Sequence, residues 1–90
     1  MTYQFITDPG HGWLQVPIHE YIQAVKDGTS ISSCSYANLR TGYVYLEEDM
    51  DAHNFVQWYK DKHGAPLEYE VTHHDQDCFI RNLRSLIAQN

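Results

Sequence analysis

Residues 43–59 read YVYLEEDMDAHNFVQWY and combine a strand pattern with a helix pattern. Residues 43–47 alternate between two kinds of side chain, and this period of two is typical of a half-buried β-strand. Residues 52–59 repeat apolar side chains at the spacing of one helical face. Gly64 and Pro66 follow in the order that usually ends a helix. The sequence therefore predicts a strand that leads almost directly into an amphipathic helix.

An acidic corner separates the predicted strand from the predicted helix, and it consists of Glu47, Glu48, Asp49 and Asp51. Asp49 or Asp51 can accept hydrogen bonds from the free N–H groups of the helix, where the helix dipole also favours negative charge. One interpretation is therefore a hydrated corner that caps the helix. The other is a contact surface for a partner, to which Tyr43 and Tyr45 would add area because tyrosine is enriched at interfaces.

The residues before this stretch predict a hairpin and a first helix. Residues 2–7 and 13–16 have the composition of strands, and Asp8-Pro9-Gly10 between them is a turn signal. Pro17 suits the first position of a helix, whose apolar stripe ends at Gly28. Residues 29–37 are serine-rich but compatible with a strand, and residues 38–42 form a loop of hairpin length.

The residues after the stretch predict one more strand and a third helix. Residues 67–72 alternate cleanly, residues 73–77 (HHDQD) form a polar turn, and Asp75 or Asp77 can cap a helix whose apolar stripe runs from Phe79 to Ile87. The resulting order ββ-α-ββ-α-β-α predicts an α+β fold, a single domain over residues 1–90. We expect a mainly antiparallel sheet of about five strands, with three helices on one face and an open second face.

Charge narrows the kind of partner. The net charge is −6, and residues 41–77 carry nine acids against two bases. This composition argues against direct binding to a nucleic-acid backbone, which requires lysine and arginine contacts. It permits binding to a basic protein surface, including one that normally holds DNA or RNA. A homodimer is compatible with the same composition.

The hydropathy pattern and the cysteine usage predict a cytoplasmic protein. The chain has no long apolar run and no basic-then-apolar start, which indicates neither a membrane span nor a signal peptide. Cys34 and Cys78 are far apart in sequence and lack a CxxC spacing. Two small buried thiols are the ordinary interpretation, and a disulfide is the alternative in an oxidising compartment.

The string Asp8 to Trp13 (DPGHGW) is the first candidate for chemistry. Glycines flank His11, so the loop can turn sharply and expose the imidazole as a general base or a ligand, with Asp8 orienting it. The alternative is a tight hairpin whose Trp13 anchors the core. No nucleophile is tied to His11 by spacing, so the sequence favours the structural interpretation.

The second candidate is the segment from His73 to Cys78, which contains enough donor atoms for a metal. Zinc ligands usually come in pairs such as CxxC or HxxxH, whereas adjacent histidines on an extended segment point to opposite sides. The acidic corner lacks the spaced oxygens and the glycine of a calcium loop. We therefore expect no metal and no cofactor, and a protein that is not an enzyme, with a small metal-dependent protein or enzyme as the alternative.

Three stretches, DPGHGWLQVP (8–17), ISSCSY (31–36) and YLEEDMDAHNF (45–55), carry a resemblance. They resemble a group of small, mostly uncharacterised proteins of phages, plasmids and bacterial mobile elements, over roughly residues 4–59. The group has no established activity and implies no catalytic residues. It implies a phage-type protein in the bacterial cytoplasm, where many such proteins disable host machinery. The expected function is inhibition of a nucleic-acid-targeting defence complex, such as a CRISPR effector; a phage structural or assembly subunit is an alternative.

Overall fold

The computed structural model describes residues 2–32, 35–76 and 79–85. Its elements in chain order are β1 (Thr2–Thr7), β2 (Gly12–Pro17), α1 (Ile18–Lys26), β3 (Tyr36–Asn38), β4 (Tyr43–Glu47), α2 (Asp51–His63), β5 (Glu68–His73), a 3₁₀ turn (Phe79–Asn82) and β6 (Arg84–Ser85). The predicted β1–β2 hairpin is confirmed, with Thr7 opposite Gly12 at its turn. The predicted end of α2 is also confirmed, because Gly64 adopts a left-handed φ of 73° and donates its N–H to the Lys60 carbonyl.

The strands form one six-stranded sheet in the order β5-β1-β2-β4-β3-β6. The prediction of a mainly antiparallel sheet is wrong, because β5 pairs parallel to β1 and the sheet is mixed. The cause is the helix that connects β4 to β5. A helical crossover returns the chain to the end of the sheet where β4 began, so β5 runs in the same direction as β4 and therefore parallel to β1. The prediction considered only strands paired in hairpins, so it missed the parallel pairing of β5 with β1.

The prediction of three helices is also wrong, since the described residues contain two α-helices. Where a third helix was expected, Phe79–Asn82 forms a single 3₁₀ turn and Arg84–Ser85 pairs with β3. Ile80 is fully buried in this turn. An isolated short helix is marginal in water, and here strand pairing and burial of the apolar side chain override the helical pattern. Asp77, Cys34, Cys78 and residues 86–90 lie outside the described residues, so the predictions made for them are untested.

The main core lies between the two helices and one face of the sheet. Val16, Val44, Leu46 and Phe55 are fully buried there, and Ala24 brings α1 against the same cluster. Full burial of each large side chain contributes on the order of 1.5–3 kcal/mol. The fold is thus α+β, with its helices packed on one face of a mixed sheet.

A second apolar cluster covers part of the opposite face, which was predicted to be open. It joins Ile6, Trp13, Tyr45 and Ile80, with Leu83 packed beside them. The segment from Phe79 to Leu83 therefore covers part of the face of β1, β2 and β4 that points away from the helices. This cover decides which residues of β4 reach solvent.

Candidate functional site

Two stretches that the sequence singled out separately lie side by side in the structure. Glu47 ends β4 opposite Trp13 of β2, and the Glu48 N–H donates to the Gly12 carbonyl at 3.0 Å. The acidic corner is thereby held against the loop that contains His11. The antiparallel register of β2 with β4 produces this neighbourhood, and no local sequence signal reports it.

Three members of the acidic corner converge on one spot, and we refer to Glu47, Glu48 and Asp49 as the carboxylate triplet. One oxygen of each lies within 4.8 Å of the others. Glu48 and Asp49 are exposed, whereas Glu47 is half-buried and accepts a 3.0 Å hydrogen bond from the Asp49 N–H. Among the described residues, no lysine, arginine or histidine forms an ion pair with the triplet.

The electrostatics of the triplet are visible in the pKa of Glu47. Burial raises this pKa above its usual value, and the neighbouring carboxylates of Asp49, Glu48 and Asp51 raise it further. The Asp49 N–H acts in the opposite direction, because its hydrogen bond favours the charged form. The raised pKa means that ionised Glu47 costs free energy in the folded protein, chiefly because of its burial and secondarily because of the neighbouring carboxylates. A positively charged group placed nearby would relieve that cost.

Asp51, the fourth member of the acidic corner, lies inside the protein and is only 1 % exposed. Its carboxylate accepts hydrogen bonds from the Ser32 N–H and hydroxyl, both at 2.8 Å, and from the Ser35 hydroxyl. The Ser35 oxygen in turn accepts the Glu47 N–H at 2.9 Å. Asp51 therefore ties the start of α2 to the loop before β3, and its expected exposure to a partner is wrong.

The predicted helix cap is wrong as well. Met50 occupies the N-cap position of α2, and no side chain provides a cap hydrogen bond there. Asp49 is exposed beyond the helix start, while the Asp51 carboxylate is engaged by the two serines. Asp51 still lies in the first helical turn, where the dipole favours its charge.

The two tyrosines predicted to widen the contact surface are covered to different degrees. Tyr45 is 4 % exposed and packs edge-on against Phe79, with ring centroids 5.6 Å apart. Tyr43 is half-buried against the same second cluster. The expectation of an open face is wrong for Tyr45, because the Phe79–Leu83 segment covers this part of the sheet.

The loop from Asp8 to Trp13 is built as a tight hairpin turn. Asp8 is buried, and its carboxylate accepts the Gly10 and His11 N–H groups at 3.0 and 2.9 Å. The Asp8 N–H donates to the His11 carbonyl, and Trp13 is 2 % exposed in the second cluster. The exposed His11 ring stacks on Trp13 at a centroid distance of 5.9 Å. These contacts account for the loop as a structural hairpin that leaves the His11 ring exposed.

The histidines of the second candidate meet β1 rather than one another. His73 Nδ1 lies 2.7 Å from Thr7 Oγ1, and the His74 N–H donates to the Thr7 carbonyl. His73 Nε2 is 3.7 Å from the almost fully exposed Asp75. Within the part of the chain that the structure describes, the triplet is the group of three or more acidic, histidine or cysteine side chains whose ligand atoms converge.

A small cavity, which we call the apolar pocket, opens next to Glu48 on the helix side of the sheet. Its volume is about 260 Å³. Its lining combines four apolar residues with three at the mouth: Phe5, Leu14, Ala52, Val56, Glu48, His53 and Tyr69. These residues come from five separate segments, so no sequence signal could have revealed the pocket.

A second, more polar cleft of about 580 Å³ lies between the end of α1 and α2. Trp58 Nε1 donates to Asp27 Oδ2 at 2.8 Å, and Lys62 approaches the same oxygen at 3.5 Å. The Trp58 hydrogen bond, followed by one from Gln23, lowers the pKa of the Asp27 carboxyl. These contacts of Asp27 with Trp58 and Lys62 link the end of α1 to α2 across the cleft.

Comparison with protein-family models, with curated protein sequences and with solved structures found no match. Neither helix among the described residues is long and apolar enough to span a bilayer. Function must therefore be argued from the residues of this chain.

Proposed function

We propose that this chain is a non-enzymatic interaction protein that binds a basic surface of a partner protein through the carboxylate triplet. The observation that supports the proposal is the convergence of three carboxylates, two of them exposed, without an ion pair to any described residue. Lysine or arginine side chains of a partner would supply the missing counter-charge. Complementary charge of this kind accelerates association and selects the partner.

The geometry favours a cationic side chain over a metal ion. Calcium takes about six to eight oxygen ligands and magnesium requires near-octahedral geometry. The triplet offers three residues at an open surface, and Asp51, the nearest further carboxylate in sequence, is engaged by Ser32 and Ser35. An arginine fork or a lysine ammonium needs only one or two carboxylates.

The biological setting of the proposal rests on the resemblance to phage and mobile-element proteins. In the bacterial cytoplasm, a compact acidic protein can occupy a surface that normally holds DNA or RNA. Inhibition of a nucleic-acid-targeting defence complex is the specific form that we propose. In this form the chain contacts the protein of the complex and makes no direct contact with nucleic acid.

The experiment compares three forms of the tagged chain in pull-downs from a bacterial host at low and high salt. The test variant neutralises the triplet (Glu47→Gln, Glu48→Gln, Asp49→Asn). The matched control removes an equal number of negative charges at three other, exposed positions (Asp61→Asn, Glu68→Gln, Glu70→Gln).

For a partner so recovered, we expect the test variant to associate at least about tenfold more slowly and with a flatter salt dependence. The control should retain most of the wild-type rate. Equal slowing in both variants would reduce the effect to net charge, and an unchanged rate in the test variant would contradict the proposal.

A further inference from the structure

The apolar pocket is a place where the core of the protein reaches the surface. Leu14 and Ala52 belong to the main core, and Phe5 and Val56 pack against it half-buried. The same four side chains line the pocket. A ligand group entering here would therefore contact side chains that are already held in place by the core.

The pocket stays open because β5 extends the sheet beyond the cover of the helices. Tyr69 is 55 % exposed and Val71 is 61 % exposed, although both lie on the face where the main core forms. Tyr69 also packs against the Phe5 ring, with centroids 5.7 Å apart. The result is an apolar wall on the edge strand that faces the pocket mouth.

Charge at the mouth indicates what kind of group enters. Glu48 lines the pocket and is also a member of the carboxylate triplet, so the mouth carries negative charge on one side. An apolar group that enters the pocket is therefore favoured if a positive charge accompanies it. An acidic neighbour would be repelled by the triplet.

The volume of the apolar pocket indicates that it fits a single side chain better than a cofactor. Pockets for drug-sized ligands have volumes of roughly 300–1,000 Å³, and this one is smaller, at about 260 Å³. Protein interfaces commonly place one aromatic or long aliphatic residue of the partner in such a pocket, where it provides much of the binding energy. The dimensions suit one anchor side chain.

We propose that the apolar pocket receives one aromatic or long aliphatic side chain of the partner, adjacent in the partner's sequence to a lysine or arginine that contacts Glu48. This inference rests on the proposed function and specifies the partner segment that the same surface recognises. Burial of the apolar group supplies affinity, and Glu48 supplies the preference for a basic neighbour.

The test is an amide NMR titration of the full chain with three capped dipeptides: acetyl-Phe-Arg-amide, acetyl-Phe-Glu-amide and acetyl-Ala-Arg-amide. We expect the Phe-Arg peptide to shift the amide resonances of Phe5, Ala52, His53 and Tyr69 with a Kd in the millimolar range, roughly. Each of the other two peptides should bind at least about fivefold more weakly.

Three variants, each first checked for the native amide spectrum, distinguish the pocket from its surroundings. Tyr69→Ala removes the exposed wall and should weaken Phe-Arg binding at least about fivefold, on the order of one buried aromatic contact. Val71→Ala, on the same face of the same strand, does not line the pocket and should leave binding unchanged. Glu48→Gln should reduce the preference for Phe-Arg over Phe-Glu, with the remaining preference due to Glu47 and Asp49.

The outcomes separate this inference from the proposed function. Equal binding of Phe-Arg and Ala-Arg peptides would overturn the pocket while leaving the triplet as the partner site. Equal effects of Tyr69→Ala and Val71→Ala, or shifts outside the pocket, would also overturn it. Conversely, an identified partner that ignores the triplet variant but is lost on Tyr69→Ala would overturn the proposed function and the basic contact to Glu48, and would keep only the apolar pocket as the partner site.

Discussion

Replacing Asp51 by alanine would test how the start of α2 is attached to the rest of the protein. The substitution removes the acceptor of three hydrogen bonds, from the Ser32 N–H, the Ser32 hydroxyl and the Ser35 hydroxyl. Ser35 is fully buried and Asp51 is 1 % exposed, so water does not readily replace the lost partner. The Ser35 hydroxyl would lose its acceptor at a fully buried position.

The size of the effect follows from these contacts. A hydrogen bond to a charged group contributes about 1.5–3 kcal/mol, and three such bonds are not additive because the buried charge also costs free energy. We expect a loss of about 3 kcal/mol in the free energy of unfolding. For a domain of this size that corresponds to a fall in Tm of roughly 12–24 °C. The asparagine variant keeps one acceptor oxygen and should lose about half as much.

The assay is urea denaturation followed by circular dichroism, with the slope of the free energy against urea as a check on two-state behaviour. Asp61→Ala is the control, because Asp61 is an exposed acid of the same helix. It should change the free energy of unfolding by less than about 0.5 kcal/mol. In a double-mutant cycle, Asp51→Ala and Ser35→Ala should show a coupling of about 1–2 kcal/mol. A loss below about 1 kcal/mol for Asp51→Ala, or no coupling, would refute the internal role of this carboxylate.

Two further predictions concern the same end of the sheet. The raised pKa of Glu47 means that the folded protein binds a proton there more tightly than the unfolded chain, so this contribution to stability falls as pH rises through the raised pKa. Glu47→Gln should therefore increase the free energy of unfolding at about pH 7 and lose this advantage at about pH 3. Denaturation at both pH values checks this, and an equal gain at both would contradict it. A Cβ at Gly12 would lie 2.8 Å from the Phe5 ring and 3.0 Å from Glu48 Oε2. Gly12→Ala should destabilise the fold by about 1–3 kcal/mol, as other overpacked sites do. Thermal denaturation measures it, and a neutral result would show that Phe5 moves aside freely.

The sequence predicted the candidate site only in part, because the exposure of its residues depends on contacts with distant segments. The acidic corner was predicted as a unit, yet Glu48 and Asp49 reach solvent while Asp51 is buried. The four carboxylates are close in sequence, and composition cannot distinguish them. The difference comes from Ser32 and Ser35. Both lie between α1 and β3 and donate hydrogen bonds to the Asp51 carboxylate.

Local signals in the sequence were sufficient to place several elements of the fold. Turn residues ended β1 at Asp8-Pro9-Gly10, a left-handed glycine ended α2, and alternation located β4, because each signal acts within a few residues. It also indicated an acidic segment beside a strand.

Other features of the fold could not be predicted from local signals. The crossover through α2 placed β5 parallel to β1. A 3₁₀ turn with Ile80 buried replaced the expected third helix and covers Tyr45. Tyr69 of β5 lines the apolar pocket and stays exposed. These features depend on pairings between segments that are far apart in the chain. Such pairings are selected by the total burial and hydrogen bonding of the whole fold, and no short stretch of sequence contains that information.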